Sequence, residues 1–341
     1  MKQLRVGMLP EFREGKGTKR MVEARGMPLS ARTLTELLKQ KALALGFSKV
    51  GIASAVNLQG EYAHLMEWIS RGYNATMEWM ARNPERRANP LEVLHGARSV
   101  VSVALDYFPG DQPEAGEGKA YAKISRYAWG DDYHEVVTER LREAEAWLSD
   151  MVPGIISRVY VDTGPVMEKA WAARSGVGWL GKHTNVITRE FGSYVFLGEL
   201  ITTVELEYDA PALDHCGNCN RCLEACPTGA IVEPCVLDSS KCISYLTIEH
   251  RGDIPDELAD KFDGWIYGCD ICQEVCPWNR FAKMTQEPAF RAREQNVTLT
   301  AAEAADIGKE EFQRRFKKSP VKRTKYSGFV RNARVLLAHR K

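Results

Sequence analysis

The chain is expected to be an α+β protein, with helices and strands mixed through its first two-thirds and a cysteine-rich module after them. Three observations predict this. Residues 99–107 form an apolar run of the kind found in a buried sheet strand. Capping signals and amphipathic stretches mark helices on both sides of that run. All nine cysteines then crowd between positions 216 and 276.

Taken in order, Thr33 and Glu36 stand at capping-box spacing and open a helix running to Gly46. Residues 47–53 follow as a short strand, and 61–71 as a helix with Leu65, Trp68 and Ile69 on one side. Residues 82–90, with two prolines and several arginines, read as a loop. After the strand at 99–107 come a polar loop at 110–118 and a long amphipathic helix over 131–151. A strand at 158–162 ends on Asp162-Thr-Gly-Pro165 and precedes a helix to about Ser175. Residues 185–188 and 194–203 read as paired strands about a turn at Gly192. The expected units are an extension over 1–29, a catalytic domain over 30–207, a ferredoxin-like module over 208–285 and a basic helical segment over 286–341.

At 341 residues, with 44% hydrophobic and 27% charged residues, the composition is that of an ordinary globular protein with a sizeable core. No apolar run approaches a membrane span and no secretory leader is visible, so no membrane partner is expected. Many free thiols suit a reducing compartment, which points to the cytoplasm. The net charge of +1 conceals an asymmetry: residues 312–341 carry eleven Lys/Arg and no acid, whereas residues 30–311 carry 28 basic and 42 acidic side chains. A basic tail on an acidic body points to a polyanionic partner.

Cys216, Cys219, Cys222 and Cys226 follow C-x2-C-x2-C-x3-C and precede Pro227, the bacterial ferredoxin run for a [4Fe–4S] cluster. In such runs the fourth cysteine ligates a second cluster, so a partner run is required. It appears as Cys269, Cys272 and Cys276 before Pro277, with Ile266 where a further cysteine would complete it. Cys242 fills the vacancy. The inferred quartets are Cys216, Cys219, Cys222 and Cys276 for one cluster, and Cys226, Cys242, Cys269 and Cys272 for the other, leaving Cys235 without a role. The alternative is zinc, since C-x2-C pairs also bind that metal, although the dense run before Cys-Pro is not a zinc pattern.

Two further motifs are discounted. Gly176, Gly178 and Gly181 match G-x-G-x-x-G, but they follow a helix and lead toward a strand, the reverse of a dinucleotide site. Asp132-Tyr-His134 begins like a cobalt-ligating D-x-H-x-x-G signature but lacks its glycine, so His134 reads as a surface or capping residue.

The stretch 160–168, the stretch 176–183 and the two cysteine runs, in this order, resemble epoxyqueuosine reductase over roughly residues 30–341. The resemblance implies a nitroreductase-like, reductive-dehalogenase-like cobalamin domain joined to a two-[4Fe–4S] module. It implies reduction of epoxyqueuosine at the tRNA wobble position to queuosine, by a monomer fed by an external low-potential electron donor. Cobalamin-pocket positions of the family fall on Arg87, Asp162, Val186, Thr188, Leu197, Ser244 and Asp270. Val186 and Leu197 also read as plain core. No histidine ligand to cobalt is expected.

The resemblance also sets the chemistry. Opening an epoxide reductively requires two electrons and a proton for the developing alkoxide, and Asp162 is the candidate general acid, with a pKa raised by burial. The charges of the tail suit a tRNA backbone, whereas Phe316, Tyr326 and Phe329 read as core. Two other functions compete: a reductive dehalogenase, which needs no basic tail, and a ferredoxin-type carrier, which leaves the first domain unexplained.

Overall fold

A computed structural model describes residues 29–114 and 121–339. The expected extension lies almost wholly outside the described residues, as do several positions of the 110–118 loop. The first half of the chain is built on helix α1 (Ala31–Ala44), strand β1 (Lys49–Ser54), strand β2 (Ser99–Asp106), helix α2 (Tyr133–Met151), strand β3 (Ser157–Tyr160), helix α3 (Glu168–Arg174) and strand β4 (Val195–Thr202). The strands form one antiparallel sheet in the order β1-β2-β4-β3. Its two central strands are covered on both faces. Val101, Val103, Leu105 and Leu200 meet Leu34, Leu38, Val137 and Leu141 of α1 and α2. On the other side Val100 and Ile201 pack with Trp171 of α3, and Ala104 with Ala172.

Local chemistry moves several boundaries. Helix α1 takes its cap three residues before the expected one, because the Ser30 hydroxyl accepts the Thr33 N–H in cap geometry while Glu36 pairs with Arg32. Gly46, at φ 90°, stops it. The supposed loop at 82–90 contains two short helices, Pro84–Ala88 and Pro90–Val93. Each proline sits at a first-turn position, where its missing N–H costs nothing. The expected hairpin around Gly192 is also different. Val186–Ile187 pairs instead with Trp179–Leu180, and Thr188 keeps a single bridge to Gly192. Strand β4 is covered on both faces, and its eight residues, Glu199 among them, enter the middle of the main sheet, between β2 and β3.

The cysteine-rich module is tied to this core. Helix α4 (Ile243–Ile248) packs on strand β5 (Trp265–Tyr267), which pairs in parallel with Lys123–Ile124 of the first half. Helix α5 (Lys325–Ala338) packs from outside: Phe312, Phe316, Val321 and Phe329 share one cluster with Ile124, Trp129 and Tyr267. Phe316 and Phe329 are fully buried, as expected of core residues. Asn332 of α5, also fully buried, donates to the carbonyls of Thr247 and Ile266 and stitches three elements together. Among the described residues no helix is long and apolar enough to cross a membrane.

Candidate active site and cysteine centres

The described cysteines are all free thiols, and they divide as their spacing predicts. Cys216, Cys219, Cys222 and Cys276 line one cavity of about 250 Å³, together with His215, Trp278 and Phe281. Cys226, Cys242, Cys269 and Cys272 line a different and larger one. Burial pushes every thiol of the second set whose shift is resolved upward, and the neighbouring cysteines add to it. Burial likewise pushes Cys222 to about 11. Four thiols around one space, none tied up in a disulfide, are a donor set that thiolate–metal bonding satisfies. Among the described residues no three His, Cys, Asp or Glu side chains close on one point as a single metal ion requires. Cys235 lies apart, exposed at a hairpin turn with φ 65°, its N–H bonded to the Lys182 carbonyl.

The larger cavity, about 450 Å³, brings the sheet and the second quartet together. Its walls include Tyr133 from the first turn of α2, Asp162 from the loop after β3, and Glu168 and Lys169 from the start of α3. Val186, Leu197, Ile243 and Ile271 give it apolar faces, and Ser244 a hydroxyl. Asp162 stands at φ 56°, in the left-handed region that aspartate tolerates better than most residues. Its backbone N–H donates to the Glu168 carboxyl. Asp162 Oδ2 accepts from Tyr133 Oη at 2.9 Å and lies 3.4 Å from His134 Nε2. The other ring nitrogen of His134 is 2.6 Å from Asp132, the N-cap of α2. Tyr133 is wedged by stacking on Phe196 and on the His134 ring.

These interactions reverse one expectation. Burial does push Asp162 up, but the hydrogen bonds from His134 and Tyr133, with the charges of His134 and Lys169, carry it below its ordinary value. The proton rests instead on His134: burial opposes its charge, yet Asp132 and Asp162 raise it to about 9. Asp162, Glu168 and Lys169 lie deep among protein atoms but face the open cavity, so they are surrounded and accessible at once. Burial raises Glu168 to about 8, with help from the Asp162 charge, and lowers Lys169. His183 borders both cavities. Burial and the Lys169 charge lower it to about 4, so it is neutral. Its Nδ1 accepts the Asn185 N–H, so the proton is on Nε2, which has no partner.

Of the residues predicted for a cobalamin pocket, Asp162, Val186, Leu197 and Ser244 line the larger cavity. The other three are engaged elsewhere. Thr188 closes the Gly192 turn, accepting from Phe191 N and donating to the Gly192 carbonyl. Asp270 is buried and accepts from Ser125 Oγ, from Arg126 N and from the Arg126 guanidinium. Arg87 donates to the Trp79 carbonyl and keeps a buried Nε without a partner. Sequence reasoning passed over Tyr133, Lys169 and Glu199 and discounted His134. Spacing carries no signal for His134, since residues 28 apart meet only through the fold. The glycines at 176–181 serve packing: a Cβ on Gly178 would run into the Ile187 carbonyl, where the two short strands close.

A sheet-and-helix cavity with paired acids, walled on one side by a quartet of cysteines and backed by another, defines an iron–sulfur oxidoreductase. Residues 215–279 match the 4Fe-4S double cluster binding domain, and residues 87–163 match "Epoxyqueuosine reductase QueG, DUF1730". The chain is 44% identical over 298 residues to the epoxyqueuosine reductase of Cellulophaga algicola, covering 87% of this chain and 96% of that one. It is 49% identical over 292 residues to that of Synechocystis, covering 84% and 100%. A crystal structure of epoxyqueuosine reductase with an epoxyqueuosine-modified tRNA-Tyr stem loop superposes with TM-score 0.86 at 34% identity, covering 91% of this chain and 82% of that chain. So does a Bacillus subtilis epoxyqueuosine reductase whose catalytic aspartate loop is swung out of its active site, at 33% identity and TM-score 0.86 over the same shares. The chain belongs to the epoxyqueuosine reductase family, and it is an oxidoreductase.

Proposed function

We propose that the chain reduces epoxyqueuosine in tRNA to queuosine, with cobalamin in the 450 Å³ cavity and a [4Fe–4S] cluster in each cysteine quartet. The observation that carries this reading is that Asp162 and the second quartet line one cavity. Apolar walls opposite Asp162, Lys169 and Ser244, with the unpaired Nε2–H of His183 at the border, suit a large flat ligand with a polar rim. When bound, the clusters supply electrons singly and cobalamin a two-electron reductant.

The chain's own residues supply position and protons. Tyr133 and His134 hold the Asp162 carboxylate on the cavity wall, and the His134 imidazolium is the proton store behind it. As the epoxide C–O bond breaks, the developing alkoxide takes a proton through Asp162, which His134 then makes good. Lys169, a cation beside Asp162 and Glu168, stabilises negative charge developing in the cavity.

Exposed Lys317, Lys322, Lys325 and Arg334 have no ion-pair partner among the described residues and supply phosphate contacts. The test is anaerobic single-turnover reduction of an epoxyqueuosine stem loop, with a low-potential reductant, by protein reconstituted with and without cobalamin. The expected result is turnover only with cobalamin, by protein holding about eight irons per chain. A reconstituted protein that binds no cobalamin in its visible spectrum, or reduces without it, overturns the reading.

A further inference from the structure

Behind Asp162 lies a second acidic pair. Glu199 sits in the middle of β4, wholly buried, and its cross-strand neighbour is Ser102 of β2. Neither Glu199 carboxyl oxygen makes a hydrogen bond, nor does the Ser102 hydroxyl, and the Glu168 carboxyl is the neighbouring acid. A central strand of an apolar sheet is a costly place for a charge, and two carboxyl groups in contact there do not both ionise. Such a pair holds protons together. Burial, then the Glu168 charge, raises Glu199 well above the carboxylate range. Glu168 is the outer member: it accepts the Asp162 N–H and lines the same cavity.

Converting an epoxide to an alkene breaks two C–O bonds, and the oxygen leaves as water. The balance is two electrons and two protons per turnover. The Asp162–His134 pair holds one proton at rest. We propose that Glu168, with Glu199 behind it, is the second proton donor of this site, delivering a proton from the cavity wall as the oxygen departs. This rests on the reduction reading above. The electrons are those of the external low-potential donor, and the pair is reprotonated from solvent between turnovers.

The experiment joins a spectroscopic and a kinetic measurement on the cobalamin- and cluster-loaded protein. Infrared spectra at pH 7 are expected to show a protonated carboxyl band that shifts in deuterium oxide and weakens in both Glu168→Gln and Glu199→Gln. In single turnover, Glu168→Gln is expected to lose about 10²–10⁴-fold in rate with unchanged tRNA affinity, the range general acid catalysis spans. The wild-type rate is expected to fall as pH passes about 8, where Glu168 ionises. Glu199→Leu removes the neighbouring neutral acid that holds Glu168 down, so that fall moves to higher pH. Should Glu168→Gln lose its clusters, Glu199→Leu carries the test alone. A wild-type protein that turns over but shows no protonated carboxyl band overturns the inference. So does a Glu199→Leu protein with an unmoved pH profile, or a Glu168→Gln protein with an undiminished rate. A wild-type protein inert toward the epoxide overturns the reduction reading itself, and this inference with it.

Discussion

Replacing Asp162 with asparagine separates its charge from its shape. Asparagine is nearly isosteric and tolerates φ 56° as aspartate does, so the loop carries no new backbone strain. Its amide oxygen can still accept from Tyr133 Oη, now 2.9 Å from Asp162 Oδ2. It cannot relay a proton, and it no longer offers His134 a negative charge. Two effects follow. Turnover of the epoxide is expected to fall about 10²–10⁴-fold, the usual scale for a lost acid–base group. His134 is expected to titrate below its present value of about 9 yet above the ordinary 6.5, because Asp132 still stands 2.6 Å from its other nitrogen. The assay pairs single-turnover reduction with an NMR titration of His134, on one preparation checked for iron, cobalamin and tRNA affinity. Near-normal turnover at full cofactor loading, or an unmoved His134, would refute the relay.

Cys242→Ser is expected to lower iron content, while Cys235→Ser leaves it intact, and the reverse pattern in an iron and sulfide assay sinks the ligand assignment. Neutralising Lys317, Lys322 and Lys325 to glutamine is expected to weaken tRNA binding, with the slope of log K against log salt shallower by about 0.7–0.9 for each phosphate no longer neutralised. An unchanged slope removes that face from recognition. Phe329→Ala is expected to cost about 3–5 kcal/mol, since it empties a fully buried site, and calorimetry checks it. His134 titrates higher folded than unfolded, so its contribution to stability is complete below 6.5 and is lost as pH rises through about 9. The melting temperature of His134→Gln should accordingly fall furthest short of wild type at low pH and converge with it above about 9.

The grouping of the cysteines at two cavities was legible because it follows the spacing of the two runs. Cys226 lies four residues from Cys222 in sequence yet lines the other cavity, as the fourth cysteine of such a run should. The long helices and the apolar strand β2 were legible by periodicity, and the aromatics of the last helices by the company they keep. The partner of β4 was not, because a mostly apolar strand says only that its faces are covered and leaves its neighbours to the rest of the sheet.

The state of Asp162 was the least legible feature, and the reason is physical. Burial alone argues for a protonated acid, and the expectation followed burial. What decides the matter is the pair of donors that the first turn of α2 brings against it, from 28 and 29 residues upstream. The same fold places Glu168 where burial and the Asp162 charge discourage its ionisation. Two carboxyl groups on one cavity wall are thereby driven in opposite directions, Asp162 toward the anion beside an imidazolium and Glu168 toward the neutral acid. Environments that drive a pair of acids apart in this way assign them different tasks. Holding Glu199 beside Glu168 depends on strand register: Glu199 faces Ser102 and the start of α3 only while β4 keeps its pairing with β2, and a shift by one residue would turn it to the opposite face.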